Sequence, residues 1–263
     1  MRIARFSDQG GQIRYGIVEG DAIAVADGSA LSRLRRTGRK LALNDVRLLA
    51  PIAPCNVLAL GRNYKAHAEE VGGDVPQAPL LFMKATSAVI GPEEPILLPN
   101  AAPDRVDYEA ELAVVIKRAA RHVSEQDALA YVLGYTCAND VSARDCQSAD
   151  GQWARAKSFD TFAPLGPWIE TDLEPGDCDI RCRLNGRLMQ DANTSLMVFS
   201  VPHIISYLSR CMTLLPGTVI LTGTPAGCGF VQTPPVWLKA GDVVEVEIEG
   251  IGVLRNPVKR EPQ

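Results

Sequence analysis

The segment Asp107-Tyr108-Glu109-Ala110-Glu111 sets two glutamates two residues apart. In an extended strand, side chains at i and i+2 share a face, so Glu109 and Glu111 project side by side. Two carboxylates held together repel unless a cation neutralises them, which makes the pair a candidate hard-metal site. The competing reading is a wet strand face, because Tyr108, Leu112, Val114 and Ile116 make a clean apolar face of their own. Asp140 offers a third carboxylate, with a turn or helix cap as its alternative role. Three carboxylates completed by waters suit Mg²⁺ or Mn²⁺ and exclude a thiolate-type zinc site.

In His67-Ala68-Glu69-Glu70 the last glutamate lies three residues after the imidazole, on the same helical face. A carboxylate bonded to one ring nitrogen orients the ring and raises its basicity, as a general base requires. A surface His–Glu pair has the same spacing. The other two histidines, His122 and His203, read as structural or solvated. Lys157, in Ala156-Lys157-Ser158-Phe159-Asp160, is a candidate to neutralise an oxyanion or a substrate carboxylate, or else is simply exposed. Gly223-Thr224-Pro225-Ala226-Gly227-Cys228-Gly229 follows a strand and can present backbone N–H groups to a ligand. It lacks the Gly-Lys-Ser/Thr of a nucleotide phosphate loop. Ser142, Ser158 and Ser195 lie in no G-x-S-x-G elbow, which leaves a serine hydrolase without support.

The elements that must hold these groups are mostly strands. Residues 2–6, 13–19 and 22–26 are short strand-like runs separated by turn residues. The basic stretch 33–40 reads as a solvated helix or loop face, and 50–54, with two prolines, as a linker. A strand over 56–60 runs into a short helix that Asn63 can cap and Gly72-Gly73 would end near Val71. Residues 108–117 form a strand. Ser124 opens a helix that ends near Gly134, and a strand covers 134–138. Asn185-Gly186 signals a hairpin, and Ser200 starts a helix that tolerates Pro202 in its first turn. Strands at 218–222, 243–249 and 253–258 complete a strand-dominated α+β chain without regular βαβ alternation.

Composition excludes several classes. Lys+Arg of 27 against Asp+Glu of 31 leaves 263 residues with a net charge of −4, the opposite of a nucleic-acid-binding balance. A hydrophobic content of 46% with 22% charged residues is that of a folded globular chain. The apolar run 112–116 is far short of a membrane span, and the first residues lack a signal-like apolar core. Seven scattered cysteines, with no C-x-x-C pair, read as reduced thiols in a cytoplasmic protein.

Five motifs occur in order: Gly61-Arg62-Asn63-Tyr64-Lys65-Ala66-His67, Asp107 to Glu111, Asn139-Asp140-Val141-Ser142-Ala143-Arg144-Asp145, Lys157-Ser158-Phe159-Asp160, and Gly223-Thr224-Pro225-Ala226-Gly227. Together they resemble the fumarylacetoacetate hydrolase family from about residue 55 to the C-terminus. The resemblance implies a mixed β-sandwich roll over residues 51–263, with a small N-terminal β domain over 1–50, assembled as a homodimer. It implies Mg²⁺ or Mn²⁺ held by Glu109, Glu111 and Asp140. It also implies a His67–Glu70 dyad on a lid, and substrate contacts from Arg144, Gln147, Lys157 and Thr224. Two departures stand out: Cys146 replaces an aromatic residue expected in many relatives, and the N-terminal aspartate ligand of the animal namesake has no counterpart here. Fumarylacetoacetate itself is therefore not the expected substrate.

The activity implied is metal-assisted cleavage of a C–C bond in a 2,4-dioxo acid of the acylpyruvate or fumarylpyruvate type, through a stabilised enolate, in aromatic-compound catabolism. His67 would activate the attacking water, and Lys157 would help hold charge on the enolate. The same apparatus serves isomerisation of a 2-hydroxymuconate-type acid or decarboxylation of an oxaloacetate-type acid. A non-catalytic 2-oxo acid-binding protein is the reading from another class, and an intact His67/Glu70 pair argues against it.

Overall fold

The computed structural model describes residues 1–262. Its spine is the strand Ala110–Ile116, every residue of which is buried. The even-numbered side chains Leu112, Val114 and Ile116 enter one apolar core, while Ala113 and Val115 enter a second on the opposite face. This overturns the wet-face alternative for the glutamate pair, since the strand is covered on both sides. It pairs antiparallel with Val132–Asn139 and with Val219–Leu221, at the centre of a large mixed sheet. Beyond Val219–Leu221 the sheet adds Val57–Gly61 in parallel, then Leu80–Lys84. On the other side Val132–Asn139 is followed by Ala163–Glu170, and then by the N-terminal strands.

Arg2–Ser7 joins Ala163–Glu170 through the pairs Arg2↔Glu170 and Ile3↔Ile169, so the division expected after residue 50 crosses a continuous sheet. Ile13–Glu19, Ala22–Asp27 and Arg35–Ala42 extend it. The last of these corrects the expectation for residues 33–40. The basic run is the exposed edge strand, with Arg36 and Lys40 both on Glu19 at 2.5 and 2.9 Å. Cations along an edge oppose further strand pairing, and hence carry no apolar period to read. A second sheet places Arg187–Asn193, Asp179–Leu184, Val243–Ile248, Gly252–Arg260 and Ile96–Leu98 in that order. Its first two strands form the expected hairpin, with positive φ at Asn185 (53°) and Gly186 (78°).

Helices are few. Val201–Cys211 starts as expected, with Ser200 Oγ accepting from the His203 amide. The helix expected from Ser124 reduces to one 3₁₀ turn, Ala128–Tyr131, because Val132 onward is drawn into the sheet against the central strand. Lys65–Glu70 is a short α-helix, but Asn63 does not cap it. The Asn63 amide instead donates to the carbonyls of Thr222 (2.7 Å) and Phe199 (3.0 Å), tying the helix entrance to the sheet.

Candidate active site

Strand register assembles the acidic cluster. Ala110 lies opposite Asn139, and the Asp140 amide donates to the Glu109 carbonyl at 2.9 Å, so Asp140 leaves its strand beside the two glutamates. One carboxylate oxygen from each of Glu109, Glu111 and Asp140 lies within 4.8 Å of the other two, and all three residues are buried. Lys157 Nζ bridges Glu109 (2.7 Å) and Asp140 (2.6 Å). Lys84 donates to the other Asp140 oxygen. Arg144 reaches Asp107 at 2.8 Å, Glu109 at 2.6 Å and Gln147 at 2.9 Å, with its guanidinium 4.1 Å from the Phe230 ring centroid.

Four buried carboxylates, counting Asp107, thus face the three cations Lys84, Arg144 and Lys157. The deficit falls on Glu111, whose polar partner is the Gly223 amide at 2.6 Å. Burial, then the charges of Asp140 and Glu109, push its carboxyl well above the usual range. Burial acts on Glu109 as well, but Lys157 and Arg144 outweigh it and hold that carboxyl low. A divalent cation fits this set: the donors are hard oxygens, three of them converge, and one carboxylate lacks the positive charge it needs.

His67 stands across from the cluster. Its Nδ1 is 2.7 Å from Glu70 Oε1, and the Gly227 amide donates to the same carboxylate at 3.0 Å. Thr224 Oγ1 accepts from Gln190 Nε2 at 2.8 Å. A cavity of about 270 Å³ is walled by His67, Glu109, Glu111, Arg144, Lys157 and Thr224, with Gln147 among its further lining residues. Glu70 and Asp140 lie behind that wall, bonded to residues that form it. All nine residues expected at the site therefore meet in one place, and Lys157 is buried rather than exposed.

The glycine-rich loop behaves differently from the expectation that it offers amides to a ligand. Gly223, Gly227 and Gly229 donate to Glu111, Glu70 and Asp107, so the loop fastens the site's own carboxylates. Gly227 has φ of 105°, and a Cβ there would lie 2.2 Å from the Met189 carbonyl oxygen. Cys146 packs into the apolar core rather than the cavity wall. Lys84 and Gln190 were not legible as site residues. Lys84 ends a strand 56 positions before its partner Asp140, and Gln190 reaches the site from a hairpin through the Ala110 amide, Thr224 and the Pro225 carbonyl.

Fold and site together define a member of the fumarylacetoacetate hydrolase family, and the chain belongs to it: the family model for the fumarylacetoacetate (FAA) hydrolase C-terminal region matches residues 56–259. A second model, described as Rv2993c-like, N-terminal, matches residues 1–51. A mitochondrial oxaloacetate tautomerase of Xenopus laevis is 45% identical over 88% of this chain and 74% of its own. The crystal structure of 5-carboxymethyl-2-hydroxymuconate delta-isomerase from Mycobacterium smegmatis superposes with a TM-score of 0.90 at 45% identity, covering 99% of this chain and 100% of the other. That of 2-hydroxyhepta-2,4-diene-1,7-dioate isomerase from Mycobacterium marinum gives 0.89 at 43% identity, covering 100% of both. These names carry tautomerisation and isomerisation, which fits the isomerase alternative better than the hydrolytic expectation. No helix among the described residues is long and apolar enough to cross a membrane.

Proposed function

We propose that the protein is a divalent-metal-dependent tautomerase or isomerase of a small 2-oxo acid of the oxaloacetate or hydroxymuconate type. The observation that carries this reading is the His67–Glu70 pair facing the Glu109/Glu111/Asp140 cluster across a single cavity. Keto–enol exchange needs one base and one charge sink; His67 is proposed for the first, and Lys157 with a cation held by the carboxylates for the second. Mg²⁺ or Mn²⁺ held by Glu109, Glu111 and Asp140 would supply Lewis-acid polarisation of the 2-oxo group when bound.

Glu70 holds His67 Nδ1, which leaves Nε2 as the nitrogen free to take a proton from C3 of the keto acid. The same nitrogen returns that proton to the enol oxygen or, in a conjugated diene, to a distal carbon. The buried Lys157 ammonium adds positive charge where the enolate oxygen develops. Arg144 and Gln147 are proposed to orient the acid, and Thr224, fixed by Gln190, to close the wall beside it. A reducing compartment such as the cytoplasm is the proposed location, a reading that the seven free cysteines support. A homodimer is the proposed assembly, on the strength of the family resemblance, and sedimentation velocity checks it.

The test is a substrate panel run with Mg²⁺ and again with excess chelator: oxaloacetate, a hydroxymuconate, acetylpyruvate and fumarylpyruvate. Chelator-sensitive tautomerisation or diene isomerisation, without loss of the diketo acids, is expected. Metal-dependent cleavage of acetylpyruvate or fumarylpyruvate alone would return the assignment to a C–C hydrolase. Binding without turnover would favour the non-catalytic reading.

A further inference from the structure

Three strong cations line the cavity, and they are not equivalent. Arg144 and Lys157 are each held by two protein carboxylates. Arg62 also lines the cavity, yet among the described residues its guanidinium has no carboxylate or carbonyl partner. A partly buried arginine without a protein acceptor is a site for an anion that arrives from outside.

The backbone around Arg62 is built to keep it there. Its φ is 56°, in the left-handed region that non-glycine residues seldom occupy. Both neighbours are fixed. A Cβ at Gly61 would lie 2.5 Å from the Trp153 ring, so that position admits only glycine beneath the indole. Asn63 is buried, donates to two carbonyls, and accepts from the Phe199 amide at 2.8 Å. With both flanks locked, Arg62 takes the uncommon conformation between them, and such outliers collect where a side chain must be presented to a ligand. Its guanidinium lies over Gly73, where a Cβ would be 2.8 Å from Nη1, just past the helix that carries His67.

We propose that Arg62 is the subsite for a second, distal carboxylate of the substrate, and so selects dicarboxylic over monocarboxylic 2-oxo acids. The inference rests on the cavity being the 2-oxo acid site, as proposed above, and adds the residue that reads the far end. At the reacting end, the carboxylate and 2-oxo oxygen would face Lys157 and the divalent cation that Glu109, Glu111 and Asp140 would hold. A four-carbon or longer diacid then brings its remaining charge to Arg62.

Two measurements on Arg62→Leu and Arg62→Lys separate this from the functional reading. The first is calorimetric binding of two unreactive four-carbon acids to the Mg²⁺-loaded protein: (S)-malate, with a distal carboxylate, and 2-hydroxybutanoate, without one. The parent is expected to prefer malate by about ten- to a hundredfold, the worth of a charge-assisted pair. Arg62→Leu should lose that preference with 2-hydroxybutanoate binding unchanged, and Arg62→Lys should keep part of it. The second is kcat/KM for C3 proton exchange of oxaloacetate and of 2-oxobutanoate, expected to follow the same pattern. An unchanged malate preference in Arg62→Leu, an equal loss for both ligands, or no malate binding by the parent would overturn the subsite. A malate preference that vanishes with Arg62, in a protein that exchanges neither keto acid, would uphold the subsite and defeat the tautomerase reading.

Discussion

Glu111 and Glu109 sit two residues apart in one segment and should respond to substitution in different ways. Glu109 is bound by Lys157 and Arg144, so Glu109→Gln would leave two buried cations short of charge. Glu111 is bound by an amide alone, and Gln in its place keeps an oxygen for the Gly223 N–H. In metal-free protein, Glu111→Gln is therefore expected to match or exceed the parent in thermal stability. Glu109→Gln should fall by about 3 kcal/mol, the scale of breaking one side of a buried ion pair. Both should lose Mg²⁺ binding by calorimetry. Stabilised apo-Glu109→Gln would show that the ion pairs do not hold that carboxylate. His67→Ala leaves the carboxylates intact and should retain metal binding while kcat falls by roughly 10²- to 10⁴-fold, the worth of a positioned general base. Turnover at the parent rate would remove the dyad from the mechanism. Period-two spacing and the next strand's end mark Glu109, Glu111 and Asp140 as candidates beside a wet-face or capping role, and the family resemblance singles them out as a set. Lys84 and Gln190 were not legible, because a lysine after an apolar run and a glutamine in a hairpin acquire meaning only through partners far away in sequence.

At the scale of elements, the glycine loop after Val219–Leu221 couples the two halves of the site, holding Glu111 at one end and Glu70 near the other. Gly227→Ala would drive a Cβ into the Met189 carbonyl and pull the Gly227 amide from Glu70. A drop in kcat with Mg²⁺ affinity nearly unchanged is expected, together with a stability loss of about 1–3 kcal/mol for the overpacked position. Equal loss of metal affinity would mean the loop moves as one body with Glu111. Ser200→Ala is the matched control: it removes a helix cap that bonds none of the cluster's side chains and should cost about 1 kcal/mol in thermal unfolding with kinetics unchanged. The same scale explains which elements sequence could supply. Central strands and the Ser200 cap carry local signals in their apolar period and capping residue. The Ser124 capping residues carry one too, with Ser124 Oγ accepting from the Asp127 amide at 3.2 Å, but pairing with Ala110–Ile116 claims the chain from Val132 onward. The edge strand Arg35–Ala42 has the composition of a solvated surface because that is where it lies.

Across the whole molecule, a single sheet connects the N-terminal strands to the strands that bear the carboxylates. Ile3 shares a core cluster with Ala113, Val115, Leu165 and Ile169. Deleting residues 1–50 would unpair one edge of Ala163–Glu170 and expose that cluster, so the remaining chain is expected to lose cooperative unfolding or aggregate. The full-length protein should unfold in one transition. A stable, metal-binding fragment 51–263 would show instead that the N-terminal strands are a detachable module. The family resemblance divides the chain near residue 50, between the stretches that the two family models match, and the backbone pairs that join the two stretches, such as Arg2 with Glu170, are too distant in sequence for any local pattern to announce.

The central claim is that His67 and the carboxylate cluster together move a proton at C3 of a 2-oxo acid. Its most direct test is NMR observation of solvent deuterium entering C3 of oxaloacetate, with the parent and His67→Ala, each with Mg²⁺ and with chelator. The account predicts rapid exchange only for the parent with Mg²⁺. Exchange by His67→Ala at the parent rate, or exchange by the parent indifferent to chelator, would contradict it.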